Sequence, residues 1–156
     1  MRIHKITYPD LNNGIGCRVT LWISGCSHHC KGCHNKETWS FLSGKVFNNI
    51  YLTQLLQILA LPYIKGLTLS GGDPLDSAED VLKLIQEVRK EFGNTKDIWL
   101  YTGYKLEELN PLQKEVVKLC DTLVDGPYIE KLRDVSLPFV GSSNQRIINN
   151  EEICKS

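Results

Sequence analysis

Residues 66–101 read GLTLSGGDPLDSAEDVLKLIQEVRKEFGNTKDIWLY, and this stretch decides the fold. Gly66-Leu67-Thr68-Leu69-Ser70 is a short apolar-rich run suited to a buried strand, and it stops abruptly at Gly71-Gly72-Asp73-Pro74. Ser77 then stands as a helix N-cap with Asp80 three residues on, a variant of the capping box. Val81, Leu84, Ile85 and Val88 recur at helical spacing and make the buried stripe of a helix ending near Phe92-Gly93. Asp97 to Tyr101 is strand-like again. A strand, a helix and a second strand in such close order form a crossover unit, the connection that parallel strands require.

The same alternation extends both ways. Upstream, Arg18 to Ser24 forms a first strand, and Ile50 to Leu61 a helix with Leu52, Leu55, Leu56 and Leu59 on one face. Downstream, a helix from Pro111 to Leu119 carries proline in its first turn, where the missing N–H costs nothing. Thr122-Leu123-Val124 is a fourth strand closing at Asp125-Gly126. Beyond Pro127 the pattern weakens to a short helix, then Gly141-Ser142-Ser143-Asn144-Gln145-Arg146 and the apolar pair Ile147-Ile148. The expected class is α/β with a mostly parallel sheet, residues 1–156 forming a single domain.

Lysine plus arginine equals aspartate plus glutamate at 18 each, and no basic run offers the footprint of a nucleic-acid binder. The longest apolar stretch, Leu52 to Ile64, is broken by Gln54, Gln57 and Pro62 and falls short of the roughly 20 residues of a membrane span. The first ten residues lack the apolar core of a signal peptide. A cytoplasmic protein that binds neither nucleic acid nor membrane is expected.

Ligands of an open parallel sheet sit beyond the carboxyl ends of its strands. After the first strand come Cys26, Cys30 and Cys33, spaced Cys-x3-Cys-x2-Cys. After the second comes Gly71-Gly72-Asp73-Pro74, after the third Thr102-Gly103-Tyr104, after the fourth Asp125-Gly126. Iron–sulfur clusters are normally held by four thiolates, so three leave one iron open to a ligand. A zinc knuckle completed by His28, His29 or His34 is the competing reading, and a disulfide pair in a secreted chain a weaker one. The glycine pair beside the cysteine loop favors the cluster, since a structural zinc needs no ligand cradle. Two glycines let backbone groups approach a bound molecule, and Pro74 pushes Asp73 toward an extended conformation. An ordinary strand-to-helix turn would favor the same residues. Cys17, Cys120 and Cys154 read as core or tail thiols.

Together the cysteine triplet and Gly71-Gly72-Asp73-Pro74 resemble the radical S-adenosylmethionine superfamily. More narrowly, Asn13 to Arg18, Ser24-Gly25-Cys26, Cys33-His34-Asn35-Lys36 to Trp39, Leu69 to Pro74, Trp99 to Tyr104, Leu123 to Gly126 and Gly141 to Gln145 look like the activating proteins of anaerobic class III ribonucleotide reductases. The blocks occur in family order over nearly the whole chain. The resemblance implies a partial, open (β/α) barrel, since about four β/α units cannot close an eight-stranded one.

It also implies a [4Fe-4S] cluster on Cys26, Cys30 and Cys33, with S-adenosylmethionine chelating the open iron and its amino group meeting Gly71, Gly72 and Asp73. The 5'-deoxyadenosyl radical would abstract hydrogen from a glycine of the large reductase subunit. An external electron donor such as a flavodoxin is implied, and a homodimer is open. Gly32 stands where much of the superfamily has an aromatic residue near the adenine, before Cys33; His34 follows Cys33 and is next in line for that contact. Aspartate at Asp73, where the broad superfamily has glutamate, agrees with the reductase activators. Thr102 and Asp125 are further candidates for the cosubstrate, Asp125 toward its ribose or amino group, with a turn role as the alternative. The open edge suits a macromolecular substrate. The competing functions are a small radical enzyme on a free metabolite, of deazapurine synthase type, and a zinc-binding adaptor.

Overall fold

This computed structural model describes residues 1–155. In chain order the elements are β1 (Arg2–Asp10), β2 (Arg18–Ile23), β3 (Lys45–Val46), α1 (Asn49–Leu59), β4 (Gly66–Gly71), α2 (Ala78–Phe92), β5 (Asp97–Tyr101), α3 (Pro111–Lys118), β6 (Thr122–Asp125), β7 (Arg146–Asn149) and α4 (Asn150–Lys155). They build one open seven-stranded sheet in the order β3-β1-β2-β4-β5-β6-β7. The four anticipated strands are its parallel center, with Arg18 opposite Gly66, Gly66 opposite Asp97, and Trp99 opposite Thr122. The center runs in sequence order without reversal, so right-handed crossovers deliver α1, α2 and α3 to the same face.

That face is the apolar core. Val19, Leu21 and Ile23 of β2, Leu67 and Leu69 of β4, Ile98 and Leu100 of β5, and Leu123 of β6 pack with Leu55, Leu59, Val81, Ile85, Val88, Val116 and Val117 of the helices. Alternate residues point to the opposite face, which is polar and yet closed. Arg18, Thr20 and Thr68 are all fully buried. The Arg18 guanidinium donates to Thr68 Oγ1, Leu67 O and Ile15 O, pairs with Asp97, and lies over the Trp99 ring. Loop 11–17 folds across this face, held by Thr68 Oγ1 donating to Asn13 O and by Asp10 accepting from Asn12 N, Asn13 Nδ2 and Thr20 Oγ1. Gly14, at φ 131°, has room for no side chain, because a Cβ would stand 2.8 Å from Arg18. The block Asn13 to Arg18 is thus a plug for the polar face.

Several expectations change. Ser77 makes no capping hydrogen bond; Asp73 caps a 3-10 turn over Pro74–Ser77 by accepting from Leu75 N, and Asp80 instead takes the N-terminal ammonium of Met1 at 2.8 Å. The helix after Pro127 is only a 3-10 turn, Glu130–Leu132. Three strands, β1, β3 and β7, went unread in the sequence. β1 and β7 run antiparallel to the center. Antiparallel edges need no crossover helix, so they carry none of the alternation that revealed the other four. Among the described residues no helix is long and apolar enough to cross a membrane.

Candidate metal and cofactor site

The carboxyl ends of β2, β4, β5 and β6 border one cleft, lined in part by Cys26, Cys30, Cys33, Gly71, Gly72, Asp73, Thr102 and Gly126. The cysteine loop is closed at its base, where Gly25 N donates to Thr38 O and Cys26 N to Trp39 O. Within it Cys33 N reaches Cys30 O across a turn that needs Gly32 at φ 77°. His29 stacks on Trp39 at 4.5 Å. Asn35 N points at Cys33 Sγ, 3.4 Å away. Burial pushes the Cys26 thiol up to about 11; the Asp73 and Asp76 carboxylates add to the rise, and the backbone N–H groups of His28 and His29 oppose it. A metal binding there must displace that proton.

Gly71 and Gly72 serve the chain before any ligand. Gly72 N donates to Ile23 O and Asp73 N to Gly25 O, both at 2.8 Å. A Cβ on Gly71 would sit 2.5 Å from the Ile23 backbone, and one on Gly72 2.4 Å from Gly25 O. Two missing side chains therefore let the end of β4 zip onto the start of the cysteine loop.

Asp73, 1% exposed, is saturated with donors. Its carboxylate accepts from Leu75 N, Thr102 Oγ1 and Gly103 N, and His28 Nε2 lies 2.6 Å from Oδ2. The hydrogen bond to Asp73 raises the His28 pKa against its burial. Thr102 is thus joined to Asp73, and its own N–H donates to Val124 O.

The remaining candidates lie apart. Asp125, also 1% exposed, accepts from Leu106 N and from Arg146 Nε and Nη2, and it is absent from the cleft lining that includes its neighbor Gly126. Gly32 faces Glu130, which a Cβ would approach to 3.0 Å. His34 is exposed and meets Tyr128 edge-on at 5.7 Å, beside a trough that continues the cleft past Ser70 and Tyr101 to Asn12 and Asn13.

Residues with no role assigned from the sequence complete the walls. Gln145 accepts from Gly141 N and Ser142 N and donates to Gly126 O, while Asn144 donates to Pro127 O. The Gly141 to Gln145 block is therefore a clamp on residues 126–128, placing Tyr128 and Gln145 in the cleft wall. Its run of turn-forming, amide-bearing residues was the available signal. Asp76 accepts from Ser27 N and Ser27 Oγ and from Tyr104 Oη. Its position three residues after Asp73 gave no hint of this, because the partners come from other loops.

Among the described residues, Cys26, His28 and Asp76 have ligand atoms within 4.8 Å of one another, and Cys30 and Cys33 stand outside that group. Donors on one tetrahedral zinc would stand about 3.8 Å apart, given Zn–S bonds near 2.3 Å. Cys26, Cys30 and Cys33 do not all fall within 4.8 Å of one another, and they line one cleft as an all-thiolate set, the donor type of an iron–sulfur cluster.

Residues 12–148 match the family model of a 4Fe-4S single cluster domain. The anaerobic ribonucleoside-triphosphate reductase-activating protein of Escherichia coli strain K12 is 48% identical over 149 residues, covering 93% of this chain and 96% of the relative. Its namesake in Haemophilus influenzae is 46% identical, covering 90% and 93%. That of Enterobacteria phage T4 is 43% identical, covering 93% and 92%. The resemblance read from the motif blocks is borne out. The chain belongs to the family of anaerobic ribonucleoside-triphosphate reductase-activating proteins and carries its 4Fe-4S single cluster domain.

Proposed function

We propose that this protein activates an anaerobic ribonucleotide reductase by reductive cleavage of S-adenosylmethionine, its sheet serving as the open half-barrel of the radical S-adenosylmethionine type. Cys26, Cys30 and Cys33 would hold the [4Fe-4S] cluster. Gly71 and Gly72 would present backbone groups to the methionine end, and Asp73 with Thr102 would keep that strand end in place. His34, with Cys33 and Gly32 beside it, would border the adenine. Asp125 would act through the position of Gly126, its carboxylate being committed to Arg146. Held by Cys26, Cys30 and Cys33 and reduced, the cluster would supply the electron for cleaving the sulfur–C5' bond, and the 5'-deoxyadenosyl radical released with methionine would take a hydrogen atom from a glycine of the reductase.

The observation that carries this reading is the joining of a three-cysteine loop and a glycine pair along one cleft, by Asp73 N to Gly25 O and Gly72 N to Ile23 O. The polar trough beyond Ser70 and Tyr101 leaves a path for a loop of the reductase subunit. Electrons come from an external donor such as a flavodoxin.

Anoxic reconstitution with iron and sulfide analysis, followed by electron paramagnetic resonance of a reduced mixture with S-adenosylmethionine and the reductase, tests the proposal. A glycyl radical on the reductase is expected. A colorless protein retaining one zinc, with Cys26, His28 and Asp76 as its ligands, would sink it.

A further inference from the structure

Two carboxylates approach Cys26, and their surroundings differ. Asp73 faces His28, whose Nε2 is 2.6 Å from Oδ2. Asp76 has only neutral donors: Ser27 N at 2.8 Å, Ser27 Oγ at 2.9 Å and Tyr104 Oη. Among the described residues Asp76 forms no ion pair with a lysine or arginine, and a ring nitrogen of His28, already paired with Asp73, stands within 4.8 Å of it. It receives three hydrogen bonds and donates none. One of its oxygens lies within 4.8 Å of Cys26 Sγ.

We propose that Asp76 sets the reduction potential of the cluster, holding it low through the negative charge of its carboxylate beside Cys26. The inference rests on the cluster reading above. Reduction adds an electron, and a fixed anion close to the sulfur opposes it in a partly buried site. Asp76 also draws the Ser27 N–H onto its own carboxylate, away from the cysteine sulfurs, where such a donor would raise the potential. A lower potential makes the reduced cluster a stronger donor toward a sulfonium. Asp76 touches neither cosubstrate nor reacting atoms on this account and is a positioning residue that acts through Cys26. Tyr104, held edge-on against His28 at 4.4 Å, tempers the charge through its hydroxyl.

The test is a redox titration of the anoxically reconstituted protein, following the reduced-cluster signal by electron paramagnetic resonance, with iron and sulfide measured for every variant. Asp76→Asn should move the midpoint to a more positive potential at unchanged iron content, and Asp76→Glu should stay near the wild-type value. Tyr104→Phe, which keeps the carboxylate and removes a donor to it, should move the midpoint the other way. An unmoved or more negative midpoint in Asp76→Asn overturns the proposal. If Asp76→Asn holds no cluster, Tyr104→Phe decides, and an unchanged or raised midpoint there overturns it. A wild-type protein that takes up no [4Fe-4S] cluster overturns the cluster reading itself and this inference with it.

Discussion

An aspartate stands at the end of each of two parallel strands, Asp73 two residues past the last residue of β4 and Asp125 as the last residue of β6, and both carboxylates are 1% exposed, yet they serve different neighborhoods. Asp73 is tied to Thr102, Gly103 and His28, so it binds the end of β5 and the cysteine loop into one wall. Asp125 is tied to Arg146 of β7 and Leu106 N, and Arg146 reaches on to Glu107, so it fastens the sheet edge. Burial and residue type are the same. What differs is which loop the chain delivers to each strand end, and that assigns one acid to the cleft and the other to the frame.

The comparison breaks most visibly at the cysteines. Replacing any one of Cys26, Cys30 or Cys33 by alanine should abolish the cluster absorption and the glycyl radical, whereas Cys154→Ala, at an exposed position, should leave both unchanged. Next, Asp73→Ala leaves the Leu75 and Gly103 N–H groups and the Thr102 hydroxyl without their acceptor, a cost of about 3 kcal/mol. Denaturant melts should show that loss, with S-adenosylmethionine binding weakened at least about tenfold, the equivalent of about 1.4 kcal/mol. Asp125→Ala should cost about 2 kcal/mol for the same reason while binding changes little, since Arg146 is partly solvated. Equilibrium dialysis showing equal binding losses for the two variants would erase the distinction between wall and frame.

A smaller effect sharpens the contrast from the far end of the sheet. Burial raises the Asp10 pKa, but hydrogen bonds from Asn13, Asn12 and Thr20 outweigh it and hold the carboxyl below the usual range. Its folded pKa is depressed, so the stability it contributes is present above the unfolded value near 3.9 and fades as pH falls through the folded one. Acid melts of Asp10→Asn should therefore converge with wild type at low pH. The smallest expected signal is at Cys120, whose thiol burial pushes up to about 12; thiol reagents at neutral pH should label Cys154 and spare Cys120 in the native protein.

The parallel center was legible because each of its strands is followed by a turn and a helix of matching period. Asp97 to Tyr101 has the same limits in sequence and structure. β1 stayed hidden because each of its alternating sets mixes polar with apolar residues, Ile3 with Lys5 and Thr7, and His4 with Ile6 and Tyr8, and much of the strand is only half-buried. At the site, Cys26, Cys30, Cys33, Gly71, Gly72, Asp73 and Thr102 were legible as strand-end residues, and the structure brings them to one cleft. Asp76 and Tyr128 were not, and Tyr104 and Gln145 stood in marked segments without a role, because each acts through partners remote in sequence, and no local pattern records a hydrogen bond from Ser27 to Asp76.

By itself, the sequence determined the thiol spacing, the glycine pair and the order of strands and helices, since ligand spacing and periodicity are local properties of the chain. The tertiary structure decided how each group is used. It turned Gly71 and Gly72 into a junction with the cysteine loop, gave Asp73 and Asp125 separate duties, and brought the Asp76 carboxylate beside Cys26. Those outcomes depend on which donors surround a carboxylate and how closely two backbones approach, and such distances exist only once the strands lie side by side.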